Sequence, residues 1–286
     1  MREVISIFSI LIANVCTAQT GSKLMFKSYL LNIHSYNCNF EFFINDVLVQ
    51  SDYSDNNLSF ELAVNQWLRG KENTIKVKVL PLNGELFLNV KARVEVQIFN
   101  LIENKKDYSA SQRIPVLQFN TGDSAQSEIK NLPFFETTKY FYITDEFELP
   151  WENKLPFTLD SANTKSILLY YTQIYSLFEK KNIDAIMTLF NEKNESCAKA
   201  LNETNSEFLA EVKTGLEVVF SNSDNLLWPL EKQKILPRYF SSNRLVGFYN
   251  ELKQPCILFY NQKENVSTFI DIFIMNDENL KFKVIR

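Results

Sequence analysis

One histidine, His34, stands in 286 residues, and that scarcity removes most proton-shuttling and metal-binding chemistry at once. Glycine is nearly as rare, at six, and no Gly-rich phosphate loop or HExxH pattern occurs. The one Gly-Ser pair, Gly21-Ser22, lacks the strand-to-helix setting of a nucleophile elbow. Cysteines at 16, 38, 197 and 256 are too widely spaced for a CxxC redox pair or a zinc ligand set. Lys and Arg number 30 against 34 Asp and Glu, a net charge of −4, and they are scattered, so there is no basic footprint for nucleic acid. The apolar run at the N-terminus is too short to cross a bilayer alone. No catalytic residue, metal or cofactor is expected, and no integral membrane span beyond the leader.

What the chain has instead is aromatic and β-branched bulk. Phe alone counts 24, enough apolar area to offset the entropy of ordering two cores. Arg2 followed by Val4–Ile12 and the small residues Cys16-Thr17-Ala18 reads as a secretory signal peptide, residues 1–18, cleaved after Ala18. Glu3 offsets the charge of Arg2, and a buried first strand is the competing reading. The leader points to a periplasmic or secreted protein, and the Asn-, Lys-, Ile- and Phe-rich composition to a bacterium. Cleavage would leave Cys38, Cys197 and Cys256. All three read as buried thiols, with a Cys197–Cys256 bridge open as an alternative. Sequons at Asn57, Asn194, Asn202 and Asn265 matter only in a glycosylating host.

Residues 24–149 read as one antiparallel β-sandwich. Phe40, Phe42 and Ile44 alternate with polar neighbours before the Asn45-Asp46 turn, and Leu58–Leu62 and Thr74–Leu80 alternate again. Leu86 to Phe99 reads as one long strand, followed by strands at Arg113–Phe119 and Lys139–Ile143. The segments Phe43–Val49, Val64–Gly70 and Glu72–Val77 resemble the jelly-roll or immunoglobulin-like sandwiches appended to many sugar-active enzymes. Here the return strand opens Gly-Lys-Glu-Asn, one residue longer than the commoner spacing. That resemblance implies a fold and leaves the ligand open. Trp67, with Tyr53, is the candidate sugar-stacking platform, against the plainer reading of Trp67 as a core residue.

Pro150, Trp151 and Pro156 mark a linker over 150–162, and Asp160-Ser161 starts a helix. The remaining domain, 163–286, reads as α+β. A helix to Glu179 precedes a short one from Asp184, a longer one from Ser196 to Phe220, and five strands. Tyr175 to Phe190 resembles the opening helices of the nuclear-transport-factor-2-like superfamily, and Phe269 to Val284 resembles that fold's closing hairpin. The resemblance implies a helix-rich cone with a curved antiparallel sheet around a pocket. Enzymes of that superfamily place Asp, His or Tyr in the cone to move protons, and this domain holds no His. Asp271, alternating with apolar neighbours on a strand, is the carboxylate expected to face such a pocket; Asp184 reads as a helix-start residue.

These readings converge on a two-domain, non-catalytic binding protein of the bacterial envelope. Its concrete form is a periplasmic immunity protein that neutralises a secreted toxin by protein–protein contact. Asp52 and Asp55 in the loop 52–57, and Asp224 and Trp228 in the stretch 221–228, are the candidate contact residues. A carbohydrate- or small-ligand-binding protein and a degenerate cone enzyme centred on Asp271 are the alternatives.

Overall fold

A computed structural model describes residues 3–6, 25–104, 107–122, 131–201 and 203–285. Strands dominate the N-terminal half and helices open the C-terminal half, a mixed α+β chain. It divides into two compact units, Val15–Leu149 and Pro150–Arg286, the latter joined by Met1–Asn14. Of the leader, only Glu3–Ser6 (β1) is described; the cleavage site at Ala18 lies outside the described residues.

In the first unit the strands are β2 (Met25–Tyr36), β3 (Asn39–Ile44), β4 (Val47–Asp52), β5 (Leu58–Ala63), β6 (Glu72–Leu80), β7 (Arg93–Asn104), β8 (Asp107–Asn120) and β9 (Phe135–Tyr142). They form two four-stranded antiparallel sheets, ordered β5-β2-β7-β8 and β4-β3-β6-β9. Period-two patterning sets the faces. Ile75, Val77 and Val79 of β6 and Val94, Val96 and Ile98 of β7 are fully buried, while Lys76 and Lys78 keep partial exposure. The sheets meet where Phe40 stacks on Phe60, ring centroids 6.4 Å apart. Asn45 and Asp46, at φ 49° and 62°, form the two-residue β3–β4 turn that their side chains favour.

The expected strand from Leu86 is not formed: β7 starts at Arg93, and 81–92 is a turn-rich loop. Leu86, Phe87 and Val90 are 77%, 50% and 52% exposed, and only Leu88 and Ala92 of this stretch are buried. Asn83-Gly84, with Gly84 at φ 86°, supplies a turn that breaks the alternation.

The second unit opens with helices α1 (Ser161–Glu179), α2 (Ile183–Leu189), α3 (Asn191–Leu201) and α4 (Asn205–Ser221). The Asp160 carboxylate caps α1 by accepting from Asn163 N, 2.7 Å, and Asn182 caps α2. The single helix expected over 196–220 is two helices. Thr204 and Glu207 form a capping box that starts α4 afresh.

Strands β10 (Asn225–Leu227), β11 (Leu236–Phe240), β12 (Leu245–Tyr249), β13 (Ile257–Asn261), β14 (Val266–Ile270), β15 (Ile274–Asn276) and β16 (Phe282–Val284) follow. They build two more sheets, β1-β14-β13-β10 and β11-β12-β15-β16. All pairings are antiparallel except β1 with β14. Helix faces cover these strands through aromatic contacts. Tyr171 of α1 lies on Phe248 of β12 at 4.4 Å, and Phe220 of α4 on Phe259 of β13 at 5.7 Å.

Candidate functional site

The strand expected through Asp271 ends at Ile270, and β15 begins at Ile274. Residues 271–273 therefore carry the chain from one sheet of the second unit to the other. Ile272 and Phe273 are buried there, and Asp271 lies between them and β14. Its carboxylate accepts from Tyr249 Oη at 3.1 and 3.3 Å, one contact to each oxygen, and from the backbone N–H of Ile272.

Neighbouring strands complete the group. Tyr249 closes β12, and Gly247 faces Arg238 of β11 in register. The Arg238 guanidinium lies 5.3 Å from the centre of the Tyr249 ring and 5.6 Å from that of Phe240. Gly247 is required for space: a Cβ there would stand 2.9 Å from Tyr249 Cε2 and 3.2 Å from its hydroxyl. Tyr171 and Cys256 adjoin the same carboxylate; burial pushes the ionisation of both up, and the Asp271 charge adds to it.

Protein atoms surround Asp271, yet it keeps some water-accessible surface. Loss of water raises its pKa from 3.8 to about 6; the Tyr249 hydroxyl, the Ile272 amide and the Arg238 charge oppose that rise. Burial, with the Asp271 charge behind it, holds Tyr249 well above 10 and Cys256 at about 12. Near neutral pH the group thus combines one exchangeable carboxylate, one neutral phenol donor and one guanidinium. It can bind a polar group and hold or accept a proton.

The other expected residues do not join it. Trp67, in a short 3-10 turn after β5, is 9% exposed, its ring in the core, and its carbonyl accepts from Asn45 Nδ2 at 2.8 Å. Tyr53 is half-buried and donates to Glu41. Asp52 is 7% exposed and its pKa is raised by burial, so this carboxylate lies beneath the surface of the loop it was expected to present. Asp55, at φ 63°, accepts from Asn39 Nδ2 and Asn83 N, both at 2.8 Å, and fixes that loop. Asn194, one of the sequon asparagines, is wholly buried in α3.

In the second unit, Asp224 pairs with Lys263 at 2.8 Å, and Trp228 is 44% exposed. The Trp228 backbone is held on both sides: its N–H donates to Leu258 O and its carbonyl accepts from Tyr175 Oη, each at 2.8 Å. Leu226, two residues back on β10, is 49% exposed.

The sequence singles out Asp271 and none of its partners. Tyr249 and Arg238 lie 22 and 33 positions away, and only strand pairing brings them together. Also missed were Tyr140 and Tyr142, 63% and 66% exposed on β9, although their every-second-residue spacing is plain. Cys38, Cys197 and Cys256 are buried and unbridged. Among the described residues no three His, Cys, Asp or Glu side chains gather as a metal set, and no helix is long and apolar enough to cross a membrane. No protein-family model, curated protein or solved structure matches the chain.

Proposed function

We propose that this chain is a non-catalytic binding protein of the bacterial envelope that works by protein–protein contact. Its concrete form is a periplasmic immunity protein that neutralises a secreted toxin. On this reading 1–18 is a leader removed near Ala18, 24–149 is a β-sandwich, and 163–286 is a nuclear-transport-factor-2-like cone.

The observation that supports it is Trp228. An exposed Trp just past the end of the edge strand β10, with its backbone already fixed by Leu258 and Tyr175, loses little entropy on docking. Burying its exposed part would contribute about 2–3 kcal/mol, the scale of an interface hot spot. Leu226 extends the apolar contact, and the Asp224–Lys263 pair supplies a polar rim.

Affinity capture with the Gln19–Arg286 chain from its host's envelope extract tests this. One dominant partner at near-equal amount is expected, with affinity reduced about 30-fold or more by Trp228→Ala. The same variant should keep its Tm within about 2 °C, because the indole is a surface group. Absence of a protein partner, or a partner indifferent to Trp228→Ala, overturns the proposal.

Asp271 supports a second reading, a degenerate cone enzyme or small-ligand site. A carboxylate held near pKa 6 beside a phenol donor suits proton exchange with a bound polar molecule. Turnover or ligand affinity that persists in Asp271→Asn would remove it. The carbohydrate alternative loses its platform, since the Trp67 ring is buried.

A further inference from the structure

We propose that the first unit carries a self-association surface: a second copy of this chain covers the apolar patch built by the loop 81–92 and residues 131–134.

The loop is tied down along its length, yet it turns apolar side chains outward. Near its start, Asn83 donates its N–H to Asp55 Oδ1 at 2.8 Å and its side-chain amide to Tyr53 O at 2.9 Å. In its middle Leu88 is buried, and its N–H donates to Leu132 O at 2.8 Å. At its end the N–H groups of Lys91 and Ala92 donate to Asn89. On this frame Leu86, Phe87 and Val90 stand outward, 77%, 50% and 52% exposed. The Leu88–Leu132 bond sets the loop beside Leu132 and Phe134, which lie lower, at 37% and 46%. A loop already fixed loses little entropy when it is covered, and contiguous exposed apolar side chains of this kind mark an interaction surface.

Two arguments choose a second copy as the occupant. The first is area. At those exposures the apolar side chains of the patch present about 500 Å². A standard interface buries about 800 Å² per partner, and homodimer interfaces are about 65% apolar. The patch with its charged rim therefore supplies one half of such an interface. The second is charge. Glu85 and Lys91 adjoin Leu86 and Val90 on the protruding side. Lys78 and Glu136, opposite each other on β6 and β9, flank the lower side, with the Lys78 ammonium 4.7 Å from the centre of the Phe134 ring. Among the described residues none of these four is in an ion pair. Their charges sum to zero, or to −1 with Asp55 at the foot of the loop, so neither an anionic lipid surface nor a partner of one sign is favoured. A two-fold axis satisfies all four. Laying Leu86 and Phe87 of one copy over Leu132 and Phe134 of the other brings Glu85 to Lys78 of the second copy and Lys91 to its Glu136. Such an interface is isologous and closes as a dimer.

Sedimentation equilibrium of the purified full chain over a concentration series tests this. A monomer–dimer equilibrium is expected, with a Kd of about 10 μM or tighter. Leu86→Ser/Phe87→Ser should raise Kd at least about 100-fold. Its Tm should stay within about 2 °C, because both are surface groups. Glu85→Lys should raise Kd about tenfold, and adding Lys78→Glu should restore the parent value to within about threefold, since the two changes meet across the axis. A chain that stays monomeric, a dimer indifferent to Leu86→Ser/Phe87→Ser, or a Glu85→Lys defect that Lys78→Glu leaves unrepaired overturns the proposal. So does a monomeric chain that floats with phosphatidylethanolamine–phosphatidylglycerol vesicles, or retains another envelope protein, only while Leu86 and Phe87 are intact; the patch then belongs to that occupant. None of these results bears on the Trp228 test.

Discussion

At the scale of single residues, Asp271 is the position where stability and chemistry pull apart. Its pKa of about 6 in the folded chain against 3.8 in the unfolded one means that the native state holds the proton more tightly. Below about pH 4 both states are protonated and the stabilisation is complete. As pH rises through 6 the native carboxyl is forced to ionise, and the advantage is lost. Two units correspond to about 3 kcal/mol. Asp271→Asn keeps an acceptor for Tyr249 and has nothing to ionise. Melts of both proteins from pH 4 to 7 should therefore nearly agree at pH 4, separate progressively between about pH 4 and 6 and keep a constant gap above 6, with the Asn variant more stable. Parallel curves would show that the carboxyl is not desolvated in solution.

At the scale of elements, the β3–β4 hairpin shows why part of the fold was legible. Asn45-Asp46 between alternating apolar runs is a turn signal carried by two adjacent residues, and both take positive φ as that signal requires. Asn45 is also buried: its amide donates to Trp67 O and Asn73 Oδ1, each at 2.8 Å, and its Oδ1 accepts from Thr74 N. Asn45→Ala should cost about 2–4 kcal/mol, because it strands buried partners and puts a Cβ-bearing residue without a polar tip in the left-handed region. Asp46→Gly, at φ 62° and joined to Lys76 only across 3.9 Å, should be neutral or stabilising by up to about 1 kcal/mol. Denaturant midpoints of the two variants check the pair; a destabilised Asp46→Gly would mean that the Lys76 contact outweighs the turn preference.

Signals that depend on tertiary context were not legible in the same way. Leu86, Leu88 and Val90 have the spacing of a strand face, but the Asn83-Gly84 turn leaves only Leu88 inside. The fresh helix start at Asn205 was written locally, in the Thr204–Glu207 capping box, and was outweighed by the apolar periodicity on either side. For Asp271 the residue was legible and its element was not. The strand stops one position earlier, and Tyr249 and Arg238 converge on it through pairings that no local spacing encodes.

At the scale of the whole molecule, the path of the chain bears on maturation. β1 pairs in parallel with β14 through Glu3–Val266 to Ser6–Phe269, and the chain then forms the entire first unit before returning at Pro150. Parallel pairing across so long a connection closes a large loop for four residues of edge contact, which is a weak return on chain entropy. β1, paired with β14 as the buried-first-strand reading expects, is the strand whose loss the second unit tolerates best. The intact mass of protein recovered from its native host should correspond to a chain starting at Gln19, with the amides of Val266–Phe269 exchanging faster than in the full-length chain. A mass that includes Met1, with those amides protected, would make β1 a permanent strand and would remove the cleaved leader on which the envelope assignment depends.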